Sequence, residues 1–307
     1  MVDQRPFFLI TIDTEGDNLW ARPREITTRN AACLPRFQAL CEDHGYRPTY
    51  LTNYEMAICP VMQAFGRDLL RRGQGEIGMH LHAWNSPPDG PLTADDFHFQ
   101  PYLIEYPEEQ MAAKVAFMTT LLADTFGVPM VSHRAGRWSF DATYARILIE
   151  NGYRVDCSVT PLVSWRSSPG DPSRQGGSDF THFPAAAYFL DAGDIARPGA
   201  SPLLEVPVTI RGEAGRPPLW MRPNGANRAG LLHLVERVIA DGDDYLELML
   251  HSSELMPGGS PTFGDAAAIE RLYADLAAVF AAAGERFRGA TLADYYRFKT
   301  AGAFTAG

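Results

Sequence analysis

The chain is short of cysteine, histidine and basic charge, and it has no long apolar run. Its four cysteines, Cys33, Cys41, Cys59 and Cys157, contain no Cys-x-x-Cys pair among 307 residues. Without a second closely spaced pair they do not form a zinc knuckle, and they read as small buried side chains. A chain of this length needs no disulfide to close its core. Acids outnumber bases 37 to 27, for a net charge of −10, which argues against nucleic acid or an anionic membrane as partner. No stretch approaches the roughly eighteen apolar residues of a membrane span. The first apolar run, FFLITI, is strand length and ends at an acid, unlike a signal-peptide core. The chain therefore reads as cytoplasmic, and nothing in it fixes an oligomeric state.

What is present is an alternation of short apolar runs and amphipathic segments. Strands are expected at 7–12, 48–52, 76–82, 131–134, 153–159, 204–210 and 245–251. Helices are expected at 30–44, 61–72, 107–126, 141–151, 228–240, 265–283 and 291–300. Pro107 opens one and Gly127 ends it; Asp141 caps another and Gly152 stops it. Residues 160–203, rich in Pro, Gly, Ser and Asp, read as a long loop or insertion with a short strand near 182–184, and the final AGAFTAG reads as frayed. Repeated strand–helix units predict an α/β fold with a parallel sheet, open or closed into a barrel, in a single domain over 1–307. In either form ligands sit beyond the carboxyl ends of the strands.

Those ends carry the chain's ionisable groups. The first strand runs into TIDTEGD, with Asp13, Glu15 and Asp17; the third ends at His80 and His82. The fourth carries His133, Arg134 and Arg137, the fifth Asp156, and the 245–251 strand ends at His251. In a strand, residues i and i+2 share a face, so the imidazoles of His80 and His82 can converge on one ion. An acidic third ligand would complete an open site of the kind catalytic zinc uses.

The segments TIDTEGD, EIGMHLH, HRAGRW and LMLHSSEL, in that order, resemble the successive motifs of the polysaccharide deacetylases, the NodB-homology group of carbohydrate esterase family 4. The closest look is to the WalW-like branch, linked to O-antigen loci of lipopolysaccharide. The resemblance spans residues 7–255. It implies a distorted (β/α) barrel, usually seven-stranded, and metal-dependent removal of an N- or O-acetyl group from a sugar. By that resemblance Asp13 is the catalytic base, Arg134 orients it, His251 is the general acid and Asp156 supports His251. Glu15 takes the metal-binding role usually held by the acid next to the base, where this chain has Thr14. His80 matches the first histidine of the metal motif. The second would fall at Trp84, so His82 is the replacement ligand. The implied ion is divalent, zinc first, with cobalt, nickel or manganese as alternatives. Trp84, Trp138 and Arg137 are candidate substrate contacts, although Arg137 also suits a loop tie. His133, facing away from Arg134, reads as a core residue or one behind the ligands.

Three functional readings follow. The first is a deacetylase acting on a sugar of a surface polysaccharide or on its nucleotide- or lipid-linked precursor. The second is another C–N hydrolase on the same fold, and the third is a degenerate barrel that binds a sugar or an assembly partner.

Overall fold

The computed structural model describes residues 3–213 and 215–303. Eleven strands are present among them: β1 (Phe7–Thr14), β2 (Thr49–Thr52), β3 (Glu76–Leu81), β4 (Ser132–Ala135), β5 (Val155–Asp156), β6 (Tyr188–Phe189), β7 (Leu204–Glu205), β8 (Ile210–Glu213), β9 (Arg216–Trp220), β10 (Tyr245–His251) and β11 (Arg288–Ala290). The longer helices are Leu34–Asp43, Pro60–Arg72, Glu108–Phe126, Ala142–Glu150, Arg228–Asp241, Ala266–Ala283 and Leu292–Ala303. The last of these includes the first three residues of the tail expected to fray; the rest of that tail lies outside the described residues.

One sheet runs β10-β1-β2-β3-β4-β5-β7-β6. Its pairs are parallel through β7, and β6 closes the far edge antiparallel to β7. Short β11 pairs in parallel with the start of β1. Seven parallel strands thus curl into a distorted (β/α) barrel, as the motif resemblance implies. Its seam lies between β7 and β10, where β10 bonds to segments flanking the β8–β9 hairpin. The Glu247 N–H donates to Thr209 Oγ1 at 2.9 Å and the Met249 N–H to the Met221 carbonyl at 3.1 Å. The strand expected over 204–210 is therefore cut short at Glu205, and the chain turns into the hairpin across the seam. The short strand expected near 182–184 lies instead at Tyr188–Phe189, where β7 offers a pairing edge.

Alternation along each strand sorts the side chains. On β1, Phe8, Ile10 and Ile12 pack outward into the main core under the helices. Phe7 and Leu9 enter a second cluster with Leu51, Val155, Leu204, Tyr245, Leu292 and Tyr295, so the C-terminal helix plugs the lower end of the barrel. Further along the same inward row come Thr11 and then Asp13. The equivalent row of β3 is Glu76, Gly78, His80 and then His82. Gly78 is required there, because a Cβ would come within 2.6 Å of the Ser132 carbonyl and 2.8 Å of Leu51. The interior thus passes from apolar at one end to ionisable at the carboxyl ends of the strands.

Candidate metal centre

Glu15, His80 and His82 bring one ligand atom each within 4.8 Å of one another, the cluster of that kind found among the described residues. The two imidazole Nε2 atoms are 2.9 Å apart, and Glu15 Oε2 lies 3.5 Å from His80 Nε2 and 3.3 Å from His82 Nε2. All three side chains are buried. His80 donates its Nδ1–H to the Arg134 carbonyl at 2.9 Å, which leaves the Nε2 lone pair facing the cluster. His82 Nδ1 is buried without a partner. If His82 carries its proton there, two lone pairs face each other across 2.9 Å; if not, an acceptor is orphaned.

A cation among the three resolves the lone-pair conflict. Bonds of about 2.0–2.2 Å to N and O ligands match carboxylate–imidazole separations of this size. The surrounding charge fits as well. Burial pushes the His82 pKa well down, with His80 and His251 adding to the effect, so it is a neutral imidazole as ligation requires. Burial would also lower His80, but Asp13 and Glu15 outweigh it and raise the pKa. His80 is thus embedded in negative charge that a cation would balance. This donor set fits a divalent ion.

The loop after β1 is built to hold Glu15. Its N–H donates to Ser252 Oγ at 3.1 Å, and the Ser252 hydroxyl donates to the Glu15 carbonyl at 3.2 Å. Asn30 Nδ2 donates to the same carbonyl at 2.9 Å. The Gly16 N–H donates to buried Glu55 at 2.8 Å, where a Cβ would sit 2.2 Å from Ile26 Cγ2. Asp17 takes no part in the cluster. Its carboxylate accepts from Thr27, Arg29 and Asn30 and ties the following turn.

Beside the cluster, Asp13 Oδ1 accepts from Arg134 Nη1 at 2.7 Å, and Asp13 Oδ2 is 3.7 Å from His251 Nε2. Burial would raise the Asp13 pKa, but Arg134, His80 and His251 together hold it below the ordinary value. Asp13 and His251 are register partners on adjacent β1 and β10, which is why residues so distant in sequence meet.

The expectation that Asp156 supports His251 is not met by the structure. Asp156 lies on β5 and bonds His133 Nδ1 at 2.5 Å and Ser158, while His133 Nε2 meets the Tyr144 hydroxyl at 2.7 Å. That network is fully buried in the barrel wall. Glu254 contacts His251 instead: its Oε2 lies 3.1 Å from His251 Nδ1 and accepts the His251 N–H at 2.9 Å. Arg222 holds the other oxygen of Glu254 at 2.9 Å. Burial would raise the Glu254 pKa, but Arg222 and His251 overcome it and bring the carboxyl down to about 2. An ionised Glu254 accepts from Nδ1–H and turns His251 Nε2 toward Asp13. The signal for Glu254 was its place three residues after His251, in the turn that caps β10.

Asp13, Glu15, His80, His82, Arg222 and His251 line a cavity of about 220 Å³. Trp84 stacks on His82 at 4.2 Å between ring centroids, and the Arg134 guanidinium sits 5.0 Å over Trp138. Trp20 meets His251 edge-on at 4.9 Å, and Trp165 lies on the wall formed by the 160–203 segment. The motifs do not single out Trp20 or Trp165, since neither is next to one. Arg137 reaches the cavity, and its Nη groups donate to the Gln100 and Pro169 carbonyls. It therefore ties two loops at the rim.

No family model and no curated protein matches the chain. Solved structures do match. A Mycobacterium smegmatis protein assigned as a polysaccharide deacetylase aligns with a TM-score of 0.56 at 15% identity, over 99% of this chain and 93% of its own. A Parabacteroides distasonis protein assigned as a glycoside hydrolase/deacetylase gives 0.65 at 10% identity, over 96% and 71%. The 4-α-glucanotransferase of Thermococcus litoralis gives 0.56 at 13%, over 97% of this chain and 41% of its own. One fold thus accompanies proteins described with different reactions, so the reaction here must be argued from its side chains. What the chain shares with these proteins is the distorted (β/α) barrel.

Proposed function

We propose that this chain is a metal-dependent hydrolase of the NodB-homology group, a single domain that removes an acetyl group from a sugar. The supporting observation is the convergence in one cavity of the Glu15–His80–His82 cluster with Asp13 and His251. Glu15, His80 and His82 would hold the divalent ion, zinc by preference for this N/N/O set. When bound, it supplies Lewis acidity and a water acidified toward neutral pH.

The chain's own groups then divide the proton work. Asp13, anchored through Oδ1 by Arg134, keeps Oδ2 free to accept the proton of the attacking water. His251 delivers a proton from Nε2 to the departing amine or alkoxide, steadied by Glu254 behind Nδ1. The products are acetate and the deacylated sugar. The tryptophan-lined walls suit the apolar face of a pyranose ring. Following the motif resemblance to the O-antigen branch, the substrate is a sugar of a surface polysaccharide or its nucleotide- or lipid-linked precursor, met in the cytoplasm.

The test pairs metal analysis with acetate release. Purified protein should retain close to one divalent ion and release acetate from an N-acetylated sugar panel. Asp13→Asn should keep the ion and lose turnover by roughly a hundredfold or more. Protein that neither holds nor takes up a divalent ion would overturn the reading. Metal-loaded protein that releases no acetate across the panel would move it to another acyl group.

A further inference from the structure

Next to the cavity, and sharing Arg137 and Ser168 with it, lies a second cleft of about 380 Å³ lined also by Arg22, His98, Phe99, Pro169, Gly170 and Pro172. We propose that this cleft is a subsite for a phosphate group attached to the sugar whose acetyl group enters the cavity; this rests on the deacetylase reading above.

The argument begins with charge. No carboxylate lines the cleft, in a chain whose net charge is −10. Arg137 is held by the Gln100 and Pro169 carbonyls and lies 4.2 Å over the Tyr102 ring. Arg22 donates to the His98 carbonyl at 2.5 Å. Among the described residues neither arginine forms an ion pair with a carboxylate. Each is therefore oriented by neutral groups, with no carboxylate bonded to it; buried Glu105, which accepts from the Asp171 N–H behind the turn at 3.0 Å, acts on Arg137 at longer range. Burial disfavours the Arg137 cation and Arg22 adds like-charge repulsion, while Tyr102 and Glu105 offset part of this. Two guanidinium groups brought together without a directly bonded counter-ion form a receptor for an anion, and their planar N–H arrays match phosphate oxygens.

The backbone supports the same conclusion. Among the described residues six non-glycine residues have positive φ, and four of them surround this junction: Arg22 (53°), Gln100 (50°), Arg137 (54°) and Trp138 (64°). Glycine would take that conformation without strain. Holding side chains there aims Arg22 and Arg137 into the cleft and Trp138 into the cavity. A sugar phosphate matches the pair of spaces, with its ring among the tryptophans and its anion between the arginines. Nucleotide-linked and lipid-linked sugars share that chemistry.

Calorimetric titration with inorganic pyrophosphate tests the subsite without relying on turnover. Native protein should bind it, and Arg22→Gly should bind roughly tenfold more weakly, the loss expected for one charge-assisted contact. Glycine relieves the positive φ at that position, so the variant loses the cation without added strain. Arg137→Gln should weaken binding similarly. No binding, or binding indifferent to both substitutions, would overturn the proposal; the latter is the signature of pyrophosphate chelating an ion at the metal centre. Titrations with uridine diphosphate and farnesyl phosphate identify the source, and the tighter of the two, if sensitive to Arg22→Gly, names it. The metal content and acetate release of native protein test the deacetylase reading separately.

Discussion

Glu247 offers a direct test of the electrostatics beneath the site. One fully buried guanidinium, Arg134, serves two carboxylates: Nη1 meets Asp13 at 2.7 Å and Nη2 meets Glu247 Oε1 at 2.5 Å. Thr11 adds a hydrogen bond to Glu247 Oε1 at 2.8 Å, while Oε2 is buried without a partner. One cation cannot neutralise both acids. Burial pushes the Glu247 carboxyl up to about 7 from 4.5, and the help of Arg134 and Thr11 does not reverse this. The folded protein therefore holds this proton more tightly than the unfolded chain does. The associated stability is complete below the unfolded pKa and is lost as pH rises through about 7. At about 1.4 kcal/mol per pH unit, the loss between pH 5 and pH 8 comes to about 2.5 kcal/mol.

Glu247→Gln keeps an oxygen for Arg134 and Thr11 but removes the titration. Urea unfolding of metal-free native protein and variant, compared at pH 5 and pH 8, should show the variant gaining about 2.5 kcal/mol relative to native protein over that interval. Other titrating groups, His80 included, are common to both proteins and cancel in the difference, apart from the influence of the Glu247 charge on buried neighbours such as Glu205. Glu254, brought down to about 2, changes charge well below the window. A difference flat to within about 0.5 kcal/mol, the scatter of additive mutations, would refute the reasoning. Arg134 would then keep Glu247 ionised throughout, despite its burial.

Four other substitutions probe the site. His82→Ala should lower metal affinity by roughly a hundredfold or more, beyond the losses typical of residues that merely support ligands, whereas Trp84→Phe, which keeps a ring against His82, should stay within a few-fold; equilibrium dialysis against zinc distinguishes them. Gly136→Ala should displace His82, since a Cβ there would lie 2.3 Å from His82 Cδ2 and 2.4 Å from the Leu81 carbonyl; reduced metal content and a stability loss of about 1–3 kcal/mol are expected, and normal metal retention would count against the ligand assignment. Glu254→Gln should reduce kcat more than KM, because it leaves the cavity walls intact while removing the negative charge behind His251 Nδ1; an effect confined to KM would remove Glu254 from that role.

The barrel was legible because its strands are buried on both faces and its helices are punctuated by proline and glycine. The eight residues of β1 and the seven of β10 are all buried, so continuous apolar runs marked them without ambiguity. The His-x-His pair was legible for a different reason: period-two geometry carries Nε2 of both rings to one point whatever lies around them. The seam was not legible. Nothing local in 204–220 says that a strand stops after two residues and a hairpin fills a gap, because that outcome depends on the distance between β7 and β10. The misplaced role of Asp156 has the same origin. The motif resemblance places a supporting acid at this point in the chain, yet the register partner of Asp156 on β4 is His133, whose side chain lies on the opposite side from Arg134. Glu254 reaches His251 through a turn. Its three-residue spacing is as local as the spacing of His80 and His82, but a turn has no fixed period from which to infer direction.

The same contrast bears on how the site is divided. Groups in strand register, Asp13 with His251 and His80 with Arg134, are fixed by the hydrogen-bond ladder and can move only if the sheet moves. Groups supplied by loops, Arg22, Arg137, Trp20 and Trp165, are fixed by local carbonyl bonds, ring contacts and left-handed backbone. Chemistry common to a barrel of this kind is expected in the first set, and discrimination among substrates in the second, where insertions can vary without disturbing the sheet. By that division the 160–203 segment, which brings Trp165 and Ser168 to the cavity and Pro169 to Arg137, is expected to set substrate choice. Exchanging its tip should therefore alter which sugar is bound while leaving metal affinity in place, and a loss of metal on such an exchange would show that the two sets are not separable.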